Sequence, residues 1–206
     1  MRIAIGLAAI LCCAFPALFS SAQTEVPNPA DPYVQEQTGM RFPAQVANSV
    51  RHQVTRYVDD GSDLGIGYQV IKDGKMIAYV SMFFYPAPPI DSVSDGPRAK
   101  ACKTVFEGIK RDVRSHDPNT RLVSEQDASA PFPIFHAKGL HATFAGGSVP
   151  FDGKTQPVHD EAYLYCYAGG QWLVAYRATW PETHDATQEV NALIAALTWS
   201  DKLARP

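Results

Sequence analysis

Alternation of apolar and polar residues dominates the chain and predicts an antiparallel sheet built from hairpins. Each run is rich in β-branched and aromatic residues and is bounded by glycine, proline or aspartate, which are typical of turns. The predicted strands are residues 52–58, 65–72, 75–85, 122–123, 140–144, 161–168 and 171–180.

The first hairpin turns at Asp73-Gly74, between the runs 65–72 and 75–85. A two-residue Asp-Gly link favours a type I′ turn, because both central residues need positive φ. Counting outward from this turn predicts that Tyr68 faces Tyr79.

A later hairpin turns at Gly169-Gly170. The same counting places Tyr163 opposite Tyr176, Tyr165 opposite Val174, and Tyr167 opposite Trp172. Both faces of this hairpin are largely apolar, so we expect a helix or another layer to cover each face.

Helical spacing of apolar residues appears twice, at 97–115 and at 186–199. Pro97 suits the first position of a helix, and Asp185 with Gln188 resembles a capping box. Together, the predicted strands and helices indicate an α+β domain over residues 40–203, with an antiparallel sheet of about six strands packed with two helices.

The N-terminal 22 residues have the layout of a secretory signal peptide. Arg2 is followed by an uncharged stretch from Ile3 to Phe19, and the small residues Ser20-Ser21-Ala22 precede the expected cut. Residues 23–39 contain three prolines and few large apolar side chains, so we expect a flexible leader there.

Charge and hydropathy limit the expected location and partners. The chain has a net charge of −3 and no cationic run, which argues against binding to nucleic acid. No second apolar stretch approaches the length of a membrane span, so no integral span is expected after cleavage. We therefore expect a soluble periplasmic or secreted protein.

Two cysteines remain after the predicted cleavage, Cys102 and Cys166. Cys102 lies on the apolar stripe of the first helix, and Cys166 lies on the small-residue face of a late strand. They form either a disulfide or two buried thiols. Closing this loop of 64 residues with a disulfide would contribute about 4 kcal/mol.

The late hairpin offers a possible ligand surface of aromatic residues. A face of this kind is either a platform for sugars and other flat ligands or ordinary sheet core, and the abundance of aromatic residues in cores favours core. The residues are Tyr163, Tyr165, Tyr167, Trp172 and Tyr176.

No motif indicates a metal, a cofactor or a catalytic nucleophile. None of the histidine spacings matches a zinc site, and scattered surface residues are the expected reading. Residues 59–63 resemble a calcium loop, but Val70 stands where such a loop needs its closing glutamate. The histidines are His52, His116, His136, His141, His159 and His184.

The segment 145–160 is the longest loop-like stretch. Long loops are often functional, but Asp152-Gly153 also allows it to extend the flanking strands as a long hairpin. An exported hydrolase with a non-standard site near this segment, using His136, His141 or His159, is therefore one alternative.

The order of elements resembles the PsbP-like α+β fold. The resemblance lies in the hairpin at Asp73-Gly74, the middle helix, the aromatic hairpin ending at Trp180-Pro181 and the terminal helix 190–199. It covers residues 40–200 as a pattern of elements. The resemblance implies a non-catalytic accessory or binding domain, with no catalytic residues to transfer.

The leading hypothesis is a non-catalytic accessory or binding protein of the cell envelope, whose partner is an envelope protein or a small ligand. The alternatives are the exported hydrolase and a carbohydrate- or peptide-binding module that uses exposed tyrosine and tryptophan. Burial of the aromatic residues separates the last alternative from the first.

Overall fold

The computed structural model describes residues 23–90, 95–129 and 139–204. The predicted signal, residues 1–22, and His136 lie outside these residues. Three helices are described: α1 (Asp95–Ser115), α2 (Thr187–Ala196) and α3 (Asp201–Ala204). The described strands are β1 (Thr24–Glu25), β2 (Tyr33–Gln35), β3 (Met40–Phe42), β4 (Gln45–Val46), β5 (Ser49–Arg56), β6 (Leu64–Lys72), β7 (Lys75–Pro86), β8 (Arg121–Ala128), β9 (Gly139–Phe151), β10 (Lys154–Ala168) and β11 (Trp172–Pro181).

Nine of these strands form one antiparallel sheet. Its order is β1-β5-β6-β7-β11-β10-β9-β8, with β4 also paired to β5. β2 and β3 pair with each other in a small second sheet. Most of the described sheet follows the order of the sequence, because six of its neighbouring pairs are consecutive strands: β4-β5, β5-β6, β6-β7, β8-β9, β9-β10 and β10-β11.

The predicted fold class, an α+β domain of about six strands and two helices, is wrong. The described residues are mostly sheet, with 51% of them in strands and 20% in helices. Four strands in the N-terminal part have only two or three residues, too short to show a period of two. β8 was expected to cover 122–123 only, because its remaining residues are polar.

Helices lie on both faces of the large sheet. On the face that we call the α2 face, residues of α2, α3 and β3 pack over β6, β7 and β11 in the larger core. On the opposite face, which we call the α1 face, α1 packs on β9 and β10 around a smaller core.

The two hairpin registers differ from prediction where the strands are irregular. In β7, Ile77 is an extra residue between Met76, which pairs with Ile71, and Ala78, which pairs with Val70. This bulge shifts the first hairpin by one residue, so Tyr68 pairs with Val80 and not with Tyr79. In the later hairpin, Tyr163 does pair with Tyr176 as predicted.

The same later hairpin departs from prediction near its turn. Tyr167 takes a positive φ of 56°, and Ala168 replaces it opposite Trp172. An extra residue of this kind is invisible to counting from a two-residue turn.

Residues 23–39, expected to be a flexible leader, contain β1 and β2. β1 pairs with β5, and Gln35 and Thr38 are buried. The side chain of Gln35 accepts a hydrogen bond from the Thr38 amide at 2.6 Å and donates one to the Gly61 carbonyl at 3.3 Å. Polar side chains therefore hold this segment to the domain, and hydropathy does not reveal such contacts.

Candidate functional site

Cys102 and Cys166 lie at disulfide distance. Their Cα atoms are 5.9 Å apart, within the range of disulfides in proteins. The bond joins α1 to β10 on the α1 face. The geometry therefore selects the disulfide over two buried thiols.

The aromatic residues predicted as a ligand surface are divided between core and surface. Tyr165, Trp172 and Tyr176 are buried in the larger core. The indole of Trp199 donates a hydrogen bond of 2.6 Å to the Tyr176 hydroxyl, and the Tyr165 hydroxyl donates one of 3.2 Å to the Ser129 carbonyl. Burial raises the pKa of Tyr165 to about 12. These three rings are not accessible to a ligand.

The other two tyrosines of this set are half-buried. The Tyr167 hydroxyl donates to the Pro88 carbonyl at 3.3 Å, and the Arg98 guanidinium lies 5.4 Å from the ring centre. Tyr163 lies on the α2 face and belongs to a polar group around Glu161. The five residues therefore do not form one continuous surface.

We call His141, His159, Glu161 and Tyr163 the Glu161 cluster. The Tyr163 hydroxyl donates a hydrogen bond of 2.7 Å to Glu161 Oε2. His141 Nε2 lies 3.4 Å from Oε2, and His159 Nε2 lies 3.3 Å from Oε1. The rings of His141 and Tyr163 are stacked, with centres 4.0 Å apart. Three side chains from two neighbouring strands thus surround one carboxylate.

The carboxylate of Glu161 is strongly favoured in its charged form. Burial alone would raise its pKa, but the rings of His141 and His159 and the hydroxyl of Tyr163 outweigh burial and lower the pKa to about 2. Burial and the neighbouring carboxylate raise the pKa of Tyr163. The cluster holds a fixed negative charge and is unsuited to proton donation by Glu161 at neutral pH.

Two of the three histidines that the hydrolase hypothesis requires, His141 and His159, belong to the Glu161 cluster. His141 and His159 converge on Glu161, whereas His136 lies outside the described residues. In the described part of the chain, neither ring is hydrogen-bonded to a serine, threonine or cysteine, the partners that histidine activates in acyl transfer. The geometry therefore provides oriented imidazoles without a nucleophile beside them.

Metal binding finds no support in the described residues, where no group of three His, Cys, Asp or Glu side chains could hold an ion. His141 and His159 each approach a different oxygen of Glu161, so they do not share one point of coordination. In the acidic turn 59–63, Asp60 accepts a hydrogen bond of 2.8 Å from the Ser62 amide, as in an ordinary turn.

The segment 145–160 forms a long hairpin. β9 runs to Phe151 and β10 starts at Lys154, with positive φ at Asp152 and Gly153. This is the geometry that an Asp-Gly turn favours. The hairpin extension, not a free loop, is the correct alternative for this segment.

The last strand of the sheet, β8, is unusually exposed. Seven of its eight residues are exposed, and in the described residues it pairs only with β9. Val123, at a bulge, is 61% exposed and Leu122 is 41% exposed. Lys110 of α1, itself buried, forms an ion pair with Glu125 and so ties β8 to the helix. No other strand of the described residues pairs with the outer side of β8, so among them this edge leaves its outward backbone groups open to a partner strand.

A second group of tyrosines lies on the α1 face. The ring of Tyr57 covers Gly65, and the hydroxyl end of Tyr79 covers Gly67. A side chain at Gly65 would meet Tyr57 Cε2 at 3.1 Å, and one at Gly67 would meet Tyr79 Cζ at 3.1 Å. We call these four residues the glycine–tyrosine surface. Sequence reasoning missed it, although glycines two apart inside a strand do signal close approach of another group.

A separate open cavity of about 470 Å³ lies between the small sheet and the turn after β5. Tyr33 and Arg56 line it, and Arg56 Nε donates to the Tyr33 hydroxyl at 3.4 Å. Asp59 and Asp60 lie at its rim, so positive and negative groups are mixed there without a preference for one kind of ligand.

Comparison with known proteins identifies no family. No protein-family model matches the chain, and no curated protein is detectably similar to it. The resemblance to the PsbP-like fold therefore rests on the order of elements alone. None of the described helices is long and apolar enough to cross a membrane.

Proposed function

We propose that this protein is a non-catalytic accessory or binding protein of the cell envelope, and that it binds an extended segment of a partner protein along β8. The observation that carries the proposal is the exposure of β8. Seven of its eight residues face solvent at the end of a nine-stranded sheet.

The backbone of β8 supports binding by strand addition. An extended peptide that lies beside an exposed edge satisfies the unpaired amide and carbonyl groups of the edge strand. Such hydrogen bonds give affinity, and side-chain contacts then select the partner.

The side chains of β8 favour a partner with apolar residues. Natural edge strands are usually short or protected by charged side chains, proline or a bulge. β8 has eight residues and no lysine or proline, and its protection consists of Arg121, Glu125, Asp127 and the bulge at Val123. Leu122 and Val123 are two exposed apolar side chains that a partner strand would cover. Asp127 nearby favours a basic residue in the partner.

The disulfide supports a location in an oxidising compartment. Disulfides persist in the periplasm and outside the cell and are rare in the reducing cytosol. The bond between Cys102 and Cys166 and the signal-like pattern of residues 1–22 point to the same compartment by independent routes.

Crosslinking in living cells tests this proposal. A photoreactive amino acid at position 123 is expected to give an adduct with a second protein, while the same residue at position 50 gives none. Val50 is a matched control because it is 40% exposed but lies on β5, which has neighbours on both sides.

Equal adducts at both positions, or none at position 123, would overturn strand addition at β8. An adduct with a second copy of this chain alone would contradict an accessory role toward a different protein.

A further inference from the structure

The helix α1 carries much of the positive charge of an acidic protein. It contains six lysine and arginine residues and three aspartate and glutamate residues, a net charge of +3, whereas the whole chain has a net charge of −3. One third of the 18 lysine and arginine residues thus lie on a helix of 21 residues. A surface of this kind attracts negatively charged groups.

One flank of α1 faces β8. The buried Lys110 forms an ion pair with Glu125 of β8. Arg114 follows Lys110 by four residues, so its side chain lies on the same flank, one turn further along the helix. Asp112 lies on the opposite flank, where its carboxylate is 3.9 Å from the guanidinium of Arg177 in β11. Lys110 and Arg114 are therefore turned toward the edge strand, and an acidic side chain is turned away from it.

Arg114 differs from Lys110 in having no carboxylate partner. Lys110 pairs with both Glu107 and Glu125. Arg114 is exposed and forms no ion pair with any described residue, and its Nε donates a hydrogen bond of 3.2 Å to the Lys110 carbonyl. Because residues 116–120 lead directly from α1 into β8, Arg114 lies beside the first residues of that strand.

A second cation, Arg121, lies at the same end of β8 but on its other face. Arg121 pairs with Ala145, whereas Leu122 pairs with Phe144 of the smaller core, so the side chains of Arg121 and Leu122 point to opposite faces. Arg121 is exposed and has no ion pair within the described part of the chain. We call Arg114, Arg121, Leu122 and Val123 the cationic end of β8. It combines two exposed apolar side chains with one arginine on each face of the sheet.

The acidic side chains around the cationic end have other partners or lie away from it. Asp117 accepts hydrogen bonds from two backbone amides, at 2.7 and 2.9 Å, and Glu182 accepts one at 3.1 Å. Glu125 pairs with Lys110, and Asp127 lies near the other end of β8. Charge along β8 therefore changes from positive at its first residues to negative at its last. Such an arrangement gives a bound segment a preferred direction and register.

We infer that the partner segment bound along β8 carries acidic side chains beside Arg114 and Arg121 and apolar side chains over Leu122 and Val123. This inference rests on the proposed strand addition and names the chemistry of the segment that is added. A strand next to β8 lies about 4.8 Å away and turns alternate side chains to the two faces, so its carboxylates can reach one arginine on each face. Nucleic acids and lipid headgroups are also anionic, but they have no row of amide and carbonyl groups to pair with β8.

Charge reversal tests this inference with the crosslinking assay at position 123. Arg114→Glu together with Arg121→Glu should lower the yield of the adduct about tenfold, because like charges then face the acidic segment. Arg114→Lys together with Arg121→Lys keeps both charges and should retain most of the adduct. Lys75→Glu together with Lys154→Glu is the matched control and should leave the yield unchanged, because both lysines are exposed and lie outside α1 and β8.

Mass spectrometry of the adduct gives a readout that does not depend on these variants. The partner peptide should contain aspartate or glutamate within about three residues of its crosslinked residue, since a strand advances about 3.3 Å per residue. This readout keeps the test decisive if the protein with Arg114→Glu and Arg121→Glu does not fold, which its melting temperature reveals.

Two results would overturn this inference and leave strand addition standing. One is full yield of the adduct after charge reversal in a folded protein, and the other is a partner peptide without an acidic residue in that range. Absence of any adduct at position 123 in the otherwise unaltered protein would overturn both the inference and strand addition at β8.

Discussion

The tyrosines of the α2 face and those of the α1 face differ in what lies above them. Tyr176 on β11 is 1% exposed, because Trp199 from the C-terminal segment covers it and hydrogen-bonds to its hydroxyl. Tyr79 on the neighbouring strand β7 is only half-buried, and its hydroxyl end touches Gly67. Residue type is the same in both places, so the covering segment decides which ring is core and which is surface.

The largest predicted loss of stability is at Tyr176, and it should exceed the loss at Tyr79. Tyr176→Ala should lower the free energy of unfolding by about 3–5 kcal/mol, because it leaves a cavity in the larger core. Tyr79→Ala should cost about 1 kcal/mol, since a half-buried ring removes less area from water than a fully buried one. Urea denaturation measures both values. Equal losses of unfolding free energy in the two variants would show that both rings are buried to the same extent.

Loss of the disulfide should cause the next largest loss of stability. The bond joins α1 to β10 and so holds this helix on the α1 face. Replacing Cys102 and Cys166 together by serine should lower stability by about 2–4 kcal/mol. The wild-type protein in reductant is the control and should unfold at the same temperature as the double variant. A variant with the melting temperature of the oxidised wild type would show that the bond does not hold α1.

A smaller loss of stability is expected from a substitution in the Glu161 cluster, on the α2 face. Glu161→Gln should cost about 1–2 kcal/mol at neutral pH, because a charged acceptor of hydrogen bonds is lost. The pKa of Glu161 is about 2 in the folded protein against an ordinary 4.5. Its stabilisation is therefore complete above pH 4.5 and is lost as the pH falls toward 2.

The difference between wild type and Glu161→Gln should accordingly narrow as the pH falls from 4.5 to 2, as measured by urea denaturation across this range. Glu25→Gln, at an exposed position on β1, is the control and should show no such trend. A difference that stays constant with pH would mean that the charge of Glu161 is not what stabilises the cluster.

Prediction from sequence was best where a local rule acts alone. The Asp73-Gly74 turn, the α1 helix and the pairing of Tyr163 with Tyr176 follow from turn chemistry and from periods of 3.6 and two. Prediction failed at bulges, where one extra residue moves a register, and at strands of two or three residues. The resulting sheet has nine strands where about six were expected.

The candidate sites were harder to predict than the elements. Glu161 and Tyr163 are two residues apart and share a face, which spacing alone could have shown. His141 and His159 join them only because β9 pairs with β10 in one particular register. Likewise, Gly65 and Gly67 can be read directly from the sequence. The rings that cover them belong to Tyr57, which follows β5, and to Tyr79 of β7, and only the fold brings these rings to the glycines.

The sequence by itself determined the hairpins, the two main helices and the two cysteines that could bond, because these depend on turn chemistry, residue spacing and count. Only the tertiary structure decided which aromatic residues are buried, that α1 meets β10 at the disulfide, and that β8 ends the sheet exposed. These outcomes depend on contacts between segments far apart in the chain, such as Trp199 with Tyr176, and no local pattern encodes such contacts.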